Sequence, residues 1–185
     1  MLHPLKSILV VVDAPAPTTN TSSVPLTQLQ LLTDASGLLA VPMLAARYPD
    51  IHTPGLIATG SSLRPSTVEI GFDPAVVDWV GTPLGTAIAL TGRGQLIVCG
   101  FWLEEAITLL TLKCLAHGID TYIPVDATAA FNPVNVPAAH ARLTQAGAVP
   151  TTTEQVLREW GALSGDLIIQ SKLISLIGGN SINLP

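Results

Sequence analysis

Short runs of apolar residues recur along the chain, and few of them alternate with polar positions. A run that is apolar at nearly every residue is typical of a strand covered on both faces, as in a parallel sheet. Five such runs predict strands, and a shorter one at Ala148–Pro150 predicts a sixth. The five runs are Ser7–Asp13, Val41–Ala45, Thr67–Ile70, Gln95–Gly100 and Thr121–Asp126.

Segments with helical spacing lie between these runs. The predicted helices are Leu26–Leu39, Pro83–Thr91, Leu103–His117, Val136–Ala146 and Thr153–Leu163. This alternation predicts a doubly wound α/β sheet with right-handed crossovers, formed by a single domain over residues 1–185. Two segments rich in Pro and in small or polar residues, Asp13–Pro25 and His52–Pro65, predict loops at the carboxyl ends of strands, where open α/β sheets bind ligands.

The composition is poor in charge. Charged residues make up 11% of the 185 positions and hydrophobic residues 48%, whereas soluble chains carry about 25% charged residues. No apolar run approaches the ~18 residues that a membrane-spanning helix needs, so we expect no membrane partner. Burial of apolar surface between subunits is the alternative, and we expect a homo-oligomer. Residues 164–185, whose stretch Leu167–Ile177 is almost continuously apolar, are predicted to dock on a partner subunit.

The net charge and the cysteines further restrict the binding partners and cofactors that the sequence predicts. The net charge is −5 and the eight basic residues are scattered, whereas nucleic-acid binding requires a clustered basic face. The run Ser7–Val12 is too short for a signal peptide, which favours the cytoplasm. Cys99 and Cys114 share no metal-ligand spacing and are expected to be inert buried thiols. Because no glycine-rich nucleotide loop occurs, neither a cofactor nor a metal is expected.

A strand, a glycine turn and a helix start follow one another in Leu96-Ile97-Val98-Cys99-Gly100-Phe101-Trp102-Leu103-Glu104-Glu105-Ala106-Ile107. A second apolar strand follows Gly118 and leads into Asp126-Ala127. This frame resembles the isochorismatase-like cysteine hydrolases, and within them the small bacterial hydrolases that assemble as higher oligomers. With the strand–helix alternation, the resemblance implies a mostly parallel six-stranded sheet in the order 3-2-1-4-5-6, with helices on both faces.

The resemblance also implies where chemistry would take place. The family uses an aspartate after the first strand, a lysine or arginine after the third, and a cysteine at the start of the helix after the fourth. In this chain these positions are Asp13, Phe72 and Ala106, so the cation and the nucleophile are missing. Arg64 and Arg93 are the nearest cations in sequence to the missing basic position, and both are expected to be solvated loop residues.

Two candidate roles have structural alternatives. Asp13 is the candidate catalytic residue, as a general acid or base, but an aspartate here also suits a cap for the following loop. The candidate binding residues are Trp79, Trp102, Leu103, Glu104 and Ala106. For Glu104 the alternative is stabilisation of the helix N-terminus by its negative charge.

Three functions remain open on these grounds. The first is a homo-oligomer that has lost thiol-based hydrolysis and binds a small molecule or a protein. The second is a non-thiol hydrolase in which Asp13 acts as the general acid. The third is a structural protomer whose apolar surface builds an assembly. Whether the chain is an enzyme, and on which substrate, is left open by the sequence.

Overall fold

The computed structural model describes residues 1–12, 24–47, 69–73, 75–76 and 78–180 of the chain. Both predicted loops at the carboxyl ends of strands, 13–25 and 52–65, lie almost entirely outside these residues, as do Asp13 and Arg64. Within the described residues, the strands are β1 (Ser7–Val12), β2 (Met43–Arg47), β3 (Glu69–Gly71), β4 (Gln95–Phe101), β5 (Asp120–Pro124), β6 (Thr128–Ala129) and β7 (Val149–Thr151).

These strands form one sheet in the order β3-β2-β1-β4-β5-β7, and every pairing is parallel. The predicted order is thus confirmed, with the strand near Ala148–Pro150 at the far edge. One strand was not predicted: β6 is two residues long and pairs with Gly100 and Phe101 at the carboxyl end of β4. It lies off the main path of the sheet, so the predicted number of strands was one too few.

The helices are α1 (Val24–Leu38), α2 (Pro83–Leu90), α3 (Thr108–Ala116), α4 (Val136–Gln145), α5 (Thr153–Leu163) and α6 (Leu167–Asn180). A π-helical turn, Leu103–Ile107, precedes α3, and a 3₁₀ turn, Val125–Ala127, follows β5. The fifth strand therefore ends earlier than predicted. Asp126 leaves the strand because its carboxylate accepts the backbone N–H of Thr153 (2.8 Å) and so caps the start of α5.

Strand β1 explains why the apolar runs do not alternate. Ile8, Val10 and Val12 face a core formed with α2, α3 and α4, while Leu9 and Val11 face a second core formed with α1, α5 and α6. Every residue of β1 is buried. Helices on both faces of the sheet thus account for a central strand without polar positions.

The apolar tail forms helix α6. Leu173 is 1% exposed and packs into the second core, against α5 of the same chain. Elsewhere on α6, Leu167, Ile168 and Ile174 are 81%, 68% and 54% exposed. One face of the tail thus docks on its own subunit. That the other face docks on a partner subunit stays a prediction.

Candidate functional site

The centre of the sheet brings β1 and β4 unusually close at their carboxyl ends. Gly100 pairs with Val12 and has a φ of +111°. A Cβ built on Gly100 would lie 2.0 Å from the Val12 carbonyl oxygen. Only glycine fits both the backbone conformation and this contact. Asp13, the next residue after Val12, lies outside the described residues, and its catalytic role stays a prediction.

The chain then turns into the helix that would carry a nucleophile. The peptide bond between Phe101 and Trp102 is cis. The Trp102 carbonyl accepts the N–H of Ile107 at 3.2 Å, a bond that spans five residues, so the turn is a π-helix rather than the predicted α-helix. The Thr108 hydroxyl donates to the Leu103 carbonyl at 2.5 Å. Such π turns are frequent at functional sites.

Ala106 lies in the middle of this turn and is buried in the core. It is 1% exposed and belongs to the same apolar cluster as Phe72, Trp79 and Leu103, which are 1–2% exposed. The rings of Phe72 and Trp79 meet edge to face, with centroids 5.9 Å apart. Three of the candidate binding residues, Trp79, Leu103 and Ala106, therefore lie in tight apolar packing. Their role in binding a ligand stays a prediction.

The two remaining candidates, Trp102 and Glu104, lie nearer the surface. The Glu104 carboxylate accepts the backbone N–H groups of Phe131 (2.8 Å) and Asn132 (2.7 Å). The ring of Trp102 lies edge to face against Phe101 and Phe131. Glu104 thus fixes the segment after β6 against the helix start. Its sequence position suggested ligand binding or a stabilising charge at the helix start, but not these contacts, because its partners are 27 and 28 residues away.

Both thiols are buried, on opposite faces of the sheet. Burial, and to a lesser degree the charge of Asp126, raises the pKa of the Cys99 thiol far above its ordinary value. Burial raises the pKa of Cys114 to about 12. A thiolate, the reactive form, is therefore disfavoured at both positions near neutral pH. These positions agree with the expected inert thiols.

Sequence reasoning missed a cation at the carboxyl end of β2. Arg47 ends that strand and forms two hydrogen bonds with Glu69 of β3, Nε–Oε2 at 2.9 Å and Nη2–Oε1 at 2.7 Å. The bond to Arg47 lowers the pKa of Glu69. The predicted second strand ended at Ala45. Arg47 was therefore not recognised as a charged residue at the end of a strand.

The expectation for Arg93 was wrong. Its guanidinium Nη1 donates to the carbonyls of Pro4 (2.6 Å) and Ser7 (2.8 Å), at the amino end of β1. It therefore fixes the N-terminal segment at the opposite end of the sheet from the Ala106 turn. The short segment that contains Arg93 before β4 had suggested a solvated loop. The carbonyl partners of Arg93 are distant in the chain, so the sequence pattern does not indicate them.

A cavity of about 470 Å³ lies beside Arg47. Its described lining comes from the carboxyl ends of β2 and β3 and from the start of α2: Arg47, Glu69, Gly71, Phe72, Asp73, Val76, Thr82 and Pro83. Phe72 therefore touches both the buried core around Ala106 and this cavity. Nothing in the apolar pattern of the sequence indicated an open space here.

Within the part of the chain that the structure describes, no group of three or more His, Cys, Asp or Glu side chains is placed to hold a metal ion. Among the helices that the structure describes, none combines the length and apolar character that crossing a membrane requires.

The comparisons with known proteins agree with the fold. Residues 73–155, less than half of the chain, match the isochorismatase domain, and this match confirms the resemblance drawn from the sequence. The chain is 31% identical to the probable hydrolase YcaC of Escherichia coli (strain K12) over 108 residues, 58% of this chain and 44% of that protein. The matched part thus spans less than half the length of this relative.

Solved structures agree on the fold. The YcaC structure from Escherichia coli, described as an octameric hydrolase of unknown specificity, has a TM-score of 0.75 at 21% identity and covers 95% of this chain and 89% of its own. YcaC from Pseudomonas aeruginosa, solved with hexane-2,5-diol and covalent acrylamide, has a TM-score of 0.71 at 24% identity, covering 96% of each chain. The MAR1 ribonuclease of Caenorhabditis elegans has a TM-score of 0.77 at 19% identity, covering 95% and 91%.

Proposed function

We propose that this isochorismatase-like protein does not hydrolyse substrates through a thiol and acts as a homo-oligomer that binds a small molecule. The observation that carries the proposal is Ala106. It occupies the nucleophile position, is 1% exposed and is surrounded by apolar side chains.

Neither of the two thiols of the chain is suited to replace a nucleophile at Ala106. Cys114 lies eight residues further along, about 12 Å at ~1.5 Å per residue. Cys99 precedes the site inside β4 and faces the opposite core. Loss of the nucleophile from a cooperating set of catalytic residues removes most of the rate advantage, on the order of 10⁶-fold in one dissected protease.

The missing cation supports the same proposal. Phe72, at the position of the family's basic residue, is 2% exposed and packs against Trp79. A charged side chain here would have to be buried among apolar groups, at a large desolvation cost. The apolar surroundings of Phe72 therefore favour a packed core at this position over a group of ionised catalytic side chains.

A turnover assay tests the loss of thiol chemistry. We would measure hydrolysis of a panel of amides, esters and vinyl ethers before and after treatment with a thiol-blocking reagent. The expected result is no amide or ester hydrolysis that depends on a thiol. Activity abolished by the reagent and by Cys99→Ser or Cys114→Ser would contradict the proposal. Activity that resists the reagent but is lost in Asp13→Asn would favour the non-thiol hydrolase instead.

The homo-oligomer rests on the low charge content and on the exposed face of α6. Leu167, Ile168 and Ile174 form an apolar surface that the described residues leave exposed, and the YcaC relative is described as octameric. A structural protomer would share this surface but lack a ligand. Light scattering of Ile168→Lys should give a smaller mass than the parent protein. Leu90→Lys on α2, where Leu90 is 82% exposed, is the matched control and should leave the mass unchanged. A monomeric parent protein at micromolar concentration would contradict the oligomer.

A further inference from the structure

The cavity beside Arg47 has the size and position of a ligand site. At about 470 Å³ it falls within the roughly 300–1,000 Å³ of small-molecule pockets. It opens at the carboxyl ends of β2 and β3, the edge at which open α/β sheets bind ligands. The buried ring of Phe72 stands between this space and the core around Ala106. The site is therefore displaced from the nucleophile position.

Its walls combine apolar surface with a few charges. Phe72, Val76 and Pro83 supply the apolar part. The charged lining groups among the described residues are Arg47, Glu69 and Asp73, with a sum of −1. Because Glu69 holds the Arg47 guanidinium through two hydrogen bonds, that positive charge is already neutralised locally.

Asp73 then supplies the excess negative charge. Its Oδ1 accepts the backbone N–H of Ala75 at 2.8 Å, which fixes the carboxylate beside the apolar wall. A second cation, Lys113 on α3, donates to the Val76 carbonyl at 2.7 Å and is not among the described lining residues. An apolar wall next to a fixed carboxylate is complementary to a molecule with an apolar body and a positive end.

We propose that this cavity binds small apolar molecules that carry a protonated amine, with the amine directed at Asp73 and the apolar part against Phe72 and Val76. This inference deepens the binding function proposed above by naming the class of ligand and its place. It uses no thiol chemistry and does not involve the Ala106 turn directly.

Three probes of one shape and different charge test the proposal. Benzylamine, benzyl alcohol and benzoate share a ring, and their affinities would be compared by calorimetric titration of the full chain. Benzylamine should bind at least about threefold more tightly than benzyl alcohol, because an exposed ion pair contributes a factor of this order. Benzoate should bind most weakly. Backbone amide NMR shifts should be concentrated at 71–76 and at Thr82.

Variants place the ligand in the cavity. Val76→Trp fills space at a residue that is 38% exposed, so the fold should tolerate it, and benzylamine affinity should fall at least tenfold. Asp73→Asn keeps the acceptor for Ala75 and should weaken benzylamine about threefold without changing benzyl alcohol. Asp78→Asn is the matched control, since Asp78 accepts the Gly81 N–H in a neighbouring turn and is not among the lining residues.

Four outcomes would overturn the inference: no benzylamine binding at millimolar concentration, benzoate binding as tightly as benzylamine, binding insensitive to Val76→Trp, or equal effects of Asp73→Asn and Asp78→Asn. If Val76→Trp failed to fold, the Asp73 comparison and the amide shifts would decide. Any of these failures leaves the turnover assay for thiol chemistry unaffected, so the two proposals fail separately.

Discussion

The carboxyl edge of the sheet has two regions that differ in how they are filled. At the centre, where β4 leads into the π-helical turn, Leu103 and Ala106 are 1% exposed and packed among apolar side chains. At the β2–β3 side, a cavity of about 470 Å³ is bordered by an ion pair and a further carboxylate. Phe72 belongs to both regions. The same edge of one sheet thus has a buried apolar centre and, at its β2–β3 flank, an open space with apolar walls and a few charges.

The difference follows from strand position. The central strands β1 and β4 have neighbours on both sides and helices on both faces, and their residues are almost all buried. Strand β3 is three residues long and pairs only with β2 among the described strands. Among the described residues, fewer neighbours therefore pack at its flank than at the centre. The ligand binding proposed above lies at this flank.

The largest effect is expected for Gly100→Ala, which disrupts the centre. The new Cβ would lie 2.0 Å from the Val12 carbonyl oxygen in a backbone with φ of +111°. We expect the free energy of unfolding to fall by about 4 kcal/mol or more, at the upper end for single substitutions. Urea denaturation measures it, with loss of soluble expression as the limiting outcome.

Gly94→Ala provides the matched control. A Cβ on Gly94 meets nothing within 4 Å, so the free energy of unfolding should stay within ~0.5 kcal/mol of the parent value. Equal stability of the two variants would show that β1 and β4 do not approach as closely as described, and the closed centre would lose its structural basis.

Phe72→Ala tests the boundary between the two regions. The ring is 2% exposed and packs edge to face on Trp79, so its removal should cost about 3–5 kcal/mol. Val76→Ala, at an exposed residue of the same cavity, should cost less than ~1 kcal/mol. Similar losses for both variants, measured by urea denaturation, would mean that Phe72 belongs to the open flank rather than to the core.

The fold was predictable because its signals are local. The unbroken apolar run of β1 and the strand–helix alternation predicted the parallel sheet, and the family resemblance of the frame around Gly100 implied its order, which the structure confirms. Strand β6 was missed because a strand of two residues is too short to show a hydrophobic pattern. Its pairing with Gly100 also depends on the turn at Asp126.

The candidate site was less predictable because its interactions are long-range. Glu104 binds N–H groups 27 and 28 residues away, and the Arg47–Glu69 pair spans 22 residues. Sequence spacing contains no record of such partners. That Ala106 stands at the family's nucleophile position was inferred from its distance to Gly100 and stays a prediction. Whether Asp13 acts as an acid remains a prediction.

The smallest effect concerns Cys114, whose thiol lies in the same core as Phe72 and Ala106. Burial raises its pKa to about 12 from an ordinary value near 9. Between these two values the folded chain retains a proton that the unfolded chain has lost, so stability falls as pH rises through this range. The slope is at most ~1.4 kcal/mol per pH unit for one thiol. Below about pH 9 the thiol contributes no slope.

Cys114→Ala removes the pH dependence of stability that the Cys114 thiol causes. The difference in stability between the parent protein and this variant therefore reports on that thiol alone. Cys99 and Tyr122, whose pKa values are also raised, contribute equally to both proteins and cancel in the comparison. Urea denaturation at intervals from pH 8 to 10.5 should therefore show a constant stability difference up to about pH 9, and then a difference that narrows as pH rises. Parallel profiles over the whole range would mean that the thiol ionises as it does in water. Solvent would then reach the core behind Ala106, and the contrast between a closed centre and an open flank would fail.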